Sequence, residues 1–270
     1  MLSRRHGGHG TLVMTVKPIL TIARFTLLES VKNRLFTLVL LGVVSLFGLT
    51  LFLGELAVTE TTQIQSAMTG MVLRLFAVFI ICIFVITSTI REFNDKGFEL
   101  IISLPIDRYL YLAGKMTGFC LLGVFIAIIV SMPLALIGNS SQLLLWCLSL
   151  ICELWILIAL CLLCLVTFKN ITSAFSVVMA FYLLARTIST IQLIGSSPIL
   201  ETTEFSHQVM VIVIDAIAFL LPALDQFSRT EWLVYGGGGG SEYMFVIGQT
   251  VIYIPLLFAA ACFDLHRKNF

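Results

Sequence analysis

The sequence predicts an all-α, polytopic membrane protein: six transmembrane helices, an interfacial elbow helix ahead of the first, an amphipathic helix between the second and third, and re-entrant helices on the outer face. Three observations carry this. Of 270 residues, 59% are hydrophobic and 11% charged, with a mean hydropathy of +1.06; a soluble domain carries about 25% charge. Six segments, roughly 35–53, 68–90, 116–137, 143–168, 173–194 and 244–263, match the roughly 20 apolar residues that cross the hydrocarbon core. Lys and Arg fall on one side of these runs. Arg4, Arg5, Lys17, Arg24, Lys32 and Arg34 precede the first; Arg91, Lys96, Arg108 and Lys115 follow the second; Lys169 follows the fourth; Arg267 and Lys268 follow the last. Predicted outer loops hold Glu55, Glu60, Glu201, Glu204 and Glu231, with Arg229 their one basic residue. The positive-inside rule then places both termini in the cytoplasm.

Along the chain, residues 1–16 read as a disordered N-terminal extension and 17–270 as a single transmembrane domain. The first ten residues contain no apolar stretch of signal-peptide length, and Met14 reads as a second possible start. His6 and His9 belong to this basic tail. From about Lys17 to Arg34 a helix is expected, with Leu20, Ala23, Leu27 and Val31 on one face and Thr26, Glu29, Ser30 and Asn33 on the other. That is the pattern of an interfacial elbow helix and not of a span.

The segment Arg91 to Pro105 is the most informative in the chain. On a helix, Glu92, Asp95, Lys96 and Glu99 share one stripe, opposite Phe93, Gly97, Leu100, Ile101 and Leu104. Pro105 ends it, because its ring and missing N–H do not fit an interior turn. Further on, Val209 to Leu221 is apolar but short for a crossing, carries Asp215 and meets Pro222. A seventh crossing would also put Arg267 and Lys268 outside. Residues 195–243 are therefore expected as re-entrant or interfacial helices on the outer face, buried against the bundle. The run Gly236–Gly240 with Ser241 reads either as a natural flexible loop or as an engineered linker.

Several chemistries are missing. Gly114-Lys115 lacks the upstream glycine of a phosphate-binding loop, and Met116 stands where Ser or Thr is required. No H-E-x-x-H, G-x-S-x-G or paired intramembrane aspartates occur. None of the four His lies in a predicted span, which argues against a haem carrier. A net charge of +1 leaves no footprint for nucleic acid. The seven Cys lie in apolar runs as small hydrophobes. Cys161-Leu-Leu-Cys164 lacks the second pair or His of a metal site. No catalytic residue, metal or other cofactor is assigned to the chain, which is expected to move something instead of transforming it.

Three ionisable residues lie within spans: Arg74, Glu153 and Arg186. Each costs roughly 2.5–3.5 kcal/mol to insert, so each should face protein or water. Glu153 and Arg186 are equidistant from the Lys169-Asn170 turn, hence at one depth at about 1.5 Å per residue. They can pair if they share a face, either lining a translocation path or fixing the hairpin as a structural ion pair. Arg74, a turn or two below the outer surface, is expected to snorkel. Gly114 and Gly118 form a G-x-x-x-G, which allows close helix packing but is common by chance.

This layout resembles the membrane subunit of ATP-binding-cassette exporters, the ABC-2-type permease family. The passage Glu92-Phe-Asn-Asp-Lys-Gly-Phe-Glu-Leu-Ile-Ile-Ser-Leu-Pro-Ile-Asp-Arg108, followed by Gly114-Lys115, is similar to that family's acidic, Gly-containing, Leu-Pro-ending cytoplasmic segment. Leu221-Pro-Ala-Leu-Asp-Gln-Phe227 looks like the stretch before the last span in its multi-copper-enzyme-maturation branch. The resemblance covers about residues 17–270. It implies a half-transporter in the inner (cytoplasmic) membrane that pairs with a second copy of itself and with two cytosolic ATPase subunits, which bind ATP and Mg. It makes residues 91–105 a cytoplasmic coupling helix. Phe93, Phe98 and Leu100 would plug a groove on the ATPase, and Glu92, Asp95 and Glu99 would meet its basic rim. The plainer reading is an interfacial helix lying on lipid. Competing functions are a stand-alone secondary transporter or channel, which usually shows repeats and coupling-ion acids at midplane, and a membrane-embedded enzyme.

Overall fold

Every regular element among the described residues is a helix. The computed structural model describes residues 8–32, 34–56, 61–94, 108–135, 140–168, 170–196, 205–228 and 240–267. In chain order the helices are α1 (Gly8–Lys32), α2 (Arg34–Leu56), α3 (Thr61–Asn94), α4 (Arg108–Ala135), α5 (Ser140–Thr167), α6 (Ile171–Ser196), α7 (Phe205–Leu220), α8 (Leu224–Phe227) and α9 (Gly240–Arg267). Five contain stretches long and apolar enough to cross a membrane: Ser66–Glu92, Tyr109–Ala135, Leu143–Thr167, Ile171–Ile194 and Glu242–Arg267. These are the second to sixth predicted spans, and the chain is a multi-pass, all-helical membrane protein. The expected first span, 35–53, lies within α2, whose described apolar stretch is shorter, Thr37–Leu49.

The axis of the bundle is α5, buried almost continuously from Trp146 to Val166. A helix apolar on every face tolerates this only when neighbours surround it. It is antiparallel to α4, where the Trp155 indole donates to the Cys120 carbonyl at 3.1 Å. The next helix, α6, packs beside it. Alongside α5, in its own direction, run α3 and α9, the latter tied by Thr167 Oγ1 donating to Asp264 at 2.7 Å. The end of the bundle bearing the α5–α6 turn is called the hairpin end below.

The N-terminal helix α1 begins at Gly8, and its buried face carries small and polar residues. Ala23, Thr26 and Ser30 are buried, while Leu20 and Phe25 are both 68% exposed. The contact is with α4, in parallel register: a Cβ on Gly114 would stand 2.8 Å from Ile22 Cβ, and one on Gly118 2.8 Å from Thr26 Cβ. Small residues let two membrane helices approach closely, and lipid accepts the leucines left outside. Thr26 and Ser30 satisfy their hydroxyls on the Ile22 and Thr26 carbonyls, so burying them leaves no polar group unpaired.

Between α6 and α9 lie two shorter helices. At 16 residues α7 spans about 24 Å, short of the core. It lies against α6, joined by Gln192 Nε2 donating to Asp215 Oδ1 at 2.9 Å. Pro222 breaks the helix after Leu221, and α9 serves the groups set free. Tyr253 donates to the Leu220 carbonyl at 3.3 Å, and the Ala223 N–H donates to Gln249 at 3.1 Å. The single turn α8 then inserts Leu224 and Phe227, both fully buried, against α5 and α6. The apolar stretch described here, Val209–Leu220, is shorter than a span, as the sequence predicts.

Candidate functional site

All three intramembrane charges meet in one cluster, wired differently from the sequence expectation. Glu153 is fully buried on the axis helix, and its close partner is Arg74, with Nη1 2.9 Å from Oε2. Arg186 stands farther off, its Nη1 3.9 Å from Oε1. The expected Glu153–Arg186 pair is thus the looser of two contacts to one carboxylate. Glu153 Oε1 accepts no hydrogen bond.

Arg74 does not snorkel; it is 1% exposed and turned into the bundle. Its Nη1 also donates to the Phe227 carbonyl at 2.6 Å. Its Nη2 donates to Ser149 Oγ at 2.6 Å and to the Trp146 carbonyl at 3.3 Å, and the guanidinium lies 5.1 Å from the Trp146 ring centroid. Both terminal nitrogens of the fork are thus held by acceptors, while Nε makes no hydrogen bond among the described residues. The carbonyl of Phe227 explains why α8 enters the bundle: it supplies an acceptor where α3 carries a charge. Trp146, Ser149 and Glu153 recur at spacings of three and four along α5, which puts them on one face. That spacing is a signal in the sequence; Phe227 offers none, since its contribution is a backbone carbonyl.

Arg186 is oriented by its own helix. Its Nη1 donates to the Tyr182 hydroxyl at 2.7 Å, one turn nearer the hairpin end, with the guanidinium 5.9 Å from that ring. With two guanidiniums and one carboxylate, the cluster carries one unbalanced positive charge.

A second charged group lies at the hairpin end, where α3 stops and α4 starts. Glu92 forms an ion pair with Lys115, whose side chain is 3% exposed. The Tyr111 hydroxyl hydrogen-bonds the same carboxylate, and Lys115 lies 5.4 Å from the Phe119 ring centroid. Sequence reading placed Lys115 in a loop before the third span. Instead α4 begins at Arg108, so Lys115 stands two turns inside it. Arg91 to Asn94 continue α3 and do not open a separate helix. Glu92, expected to meet a partner's basic rim, pairs with a lysine of its own chain and stays a quarter exposed, and Phe93 lies in the last turn of α3. Asp95, Phe98, Glu99 and Leu100 lie outside the described residues, as do Pro105 and Gly236 to Gly239.

All seven cysteines are free thiols. Cys161 neighbours Cys82 of α3 and Cys164 of its own helix. In the comparisons with known proteins, no family model and no curated protein matches this chain.

Proposed function

We propose that this chain is the permease subunit of an ATP-binding-cassette exporter of the ABC-2 type, forming the translocation path and taking its power from separate cytosolic ATPase subunits. The observation that carries the reading is the Glu92–Lys115 ion pair. It joins the last turn of α3 to the first turns of α4, the two roots of residues 95–107, where the family resemblance is concentrated. With its roots clamped, a push on that segment is passed to both helices together instead of being lost in fraying ends. Lys115 is buried and Glu92 partly so, so separating the pair strands the lysine charge and the joint resists opening. The hairpin end would face the cytoplasm, a second copy of the chain would complete the path, and the ATPase would bind ATP and Mg.

A stand-alone cation-coupled transporter is less well supported. Its coupling ion would need an available acid, and Glu153 already faces two guanidiniums.

Co-purification tests the proposal. The tagged chain should bring down a soluble ATPase from its native membrane. Phe98→Ala and Glu99→Arg should each weaken that association by about 2 kcal/mol, roughly thirtyfold, as for interface hot spots. Lys115→Ala should keep the ATPase bound but lose transport. Should both Phe98→Ala and Glu99→Arg complexes form and export normally, the coupling assignment fails.

A further inference from the structure

Among the described residues, Arg186 is the more loosely neutralised of the two arginines that share Glu153. We infer that it is the recognition cation of a membrane-embedded site for an anionic group, a phosphate or carboxylate carried on an apolar body. This stands apart from any ATPase, because it concerns what the cluster binds and not what drives the chain.

The first support is charge. Glu153 gives its close contact to Arg74, which is sealed by Ser149 and the Phe227 carbonyl besides. Among the described residues, Arg186 meets the Tyr182 hydroxyl and, at 3.9 Å, the far oxygen of Glu153. The second is depth. Arg186 lies eight residues from Ile194 and fifteen from Ile171 in its span, about 12 and 22 Å at 1.5 Å per residue. The third is direction. An arginine that close to one end would ordinarily snorkel toward it, yet this one bonds Tyr182, one turn deeper. The fourth is access: the Arg186 side chain is 16% exposed, against 2% for Arg74. A guanidinium held inward at depth, partly exposed and sharing one carboxylate at 3.9 Å with a second arginine, keeps both charge and room for an anion. Leu183 and Leu184, exposed on the same helix, suit an apolar tail and not a small hydrated ion.

The test is native mass spectrometry of the detergent-solubilised full chain, titrated separately with phosphatidylglycerol, phosphatidylcholine and inorganic phosphate. The wild type should retain phosphatidylglycerol over phosphatidylcholine by about tenfold, the worth of one charge-assisted contact. Arg186→Gln should abolish the preference, and Arg186→Lys should keep part of it. Tyr182→Phe retains the charge and removes only the inward anchor, so it should weaken the preference about fivefold. It also decides the matter if Arg186→Gln does not fold. Competition by millimolar inorganic phosphate would assign the site to the anion itself, and its failure to compete would assign it to the tailed molecule. Equal retention of both lipids by the wild type with no binding of phosphate would overturn the inference, as would an unchanged preference in Arg186→Gln and Tyr182→Phe. Loss of a dimer in Arg186→Gln with no change in anion binding would overturn it too, since a second copy would then supply the missing charge.

Discussion

Arg74 has a carboxylate, a hydroxyl, two carbonyls and an indole around it, and is 1% exposed. The shape of the side chain matters as much as its charge. Lysine offers one ammonium centre where this site needs a planar fork reaching α5 and α8 at once. Glu153→Gln should destabilise the protein by about 3–5 kcal/mol, because it leaves two guanidiniums buried without their counter-charge. Arg74→Lys should cost nearly as much, whereas Arg186→Gln should cost well under half, since its 3.9 Å contact lies beyond hydrogen-bond reach. Unfolding in sodium dodecyl sulfate, followed by circular dichroism, ranks the three. A larger loss for Arg186→Gln than for Glu153→Gln would refute the wiring described above.

At the level of elements, α1 turns its small and polar atoms toward protein and its bulky apolar ones outward, where a membrane would supply lipid. This packing makes a sharp prediction. Gly118→Ala would set a Cβ 2.8 Å from Thr26 Cβ and 3.0 Å from the Ala23 carbonyl, which is backbone and cannot swing aside. The cost should be about 1–3 kcal/mol, the range for overpacking. Gly48 of α2 is the control, because a Cβ there meets nothing within 4 Å. Gly48→Ala should be neutral or stabilising by up to about 1 kcal/mol from helix propensity. Thermal denaturation of both variants in one detergent checks the pair, and equal behaviour would mean that α1 does not rest on α4 in this way.

For the whole molecule, the direction of each helix sets the topology. In α1 the chain runs parallel to α4, away from the hairpin end. In α9 it runs parallel to α5 and finishes beside Thr167 at that same end. In the proposed topology α7 and α8 do not cross, both chain ends lie on one side of the membrane, and the positive-inside rule makes that Lys- and Arg-rich side the cytoplasmic one. Alkaline phosphatase, active only outside, should therefore be inactive when fused after Phe270, while a fluorescent protein fused there should glow. Phosphatase activity at Phe270 would mean another crossing or the reverse orientation.

Much of this was legible in one dimension. Apolar run length marks five of the spans, because the thickness of the hydrocarbon core is the same for every helix. The combination of a short run, Asp215 and Pro222 marks α7 as shorter than a span. Equal distance from the Lys169-Asn170 turn puts Glu153 and Arg186 at one depth, because rise per residue is constant. What the sequence could not settle was rotation about each helix axis and the choice of neighbour. Depth does not reveal that α3 lies beside α5, so Arg74 reads as a snorkelling residue when it is the nearer partner of Glu153. Nor do the two faces of α1 say which turns inward, because hydrophobic patterning changes sign when the surrounding solvent is lipid. The Phe227 carbonyl is invisible to any side-chain pattern. Length and hydropathy are sums along the chain, so the sequence by itself determined the spans and their depths. Contacts between helices depend on azimuth and packing, so only the tertiary structure decided which charges meet.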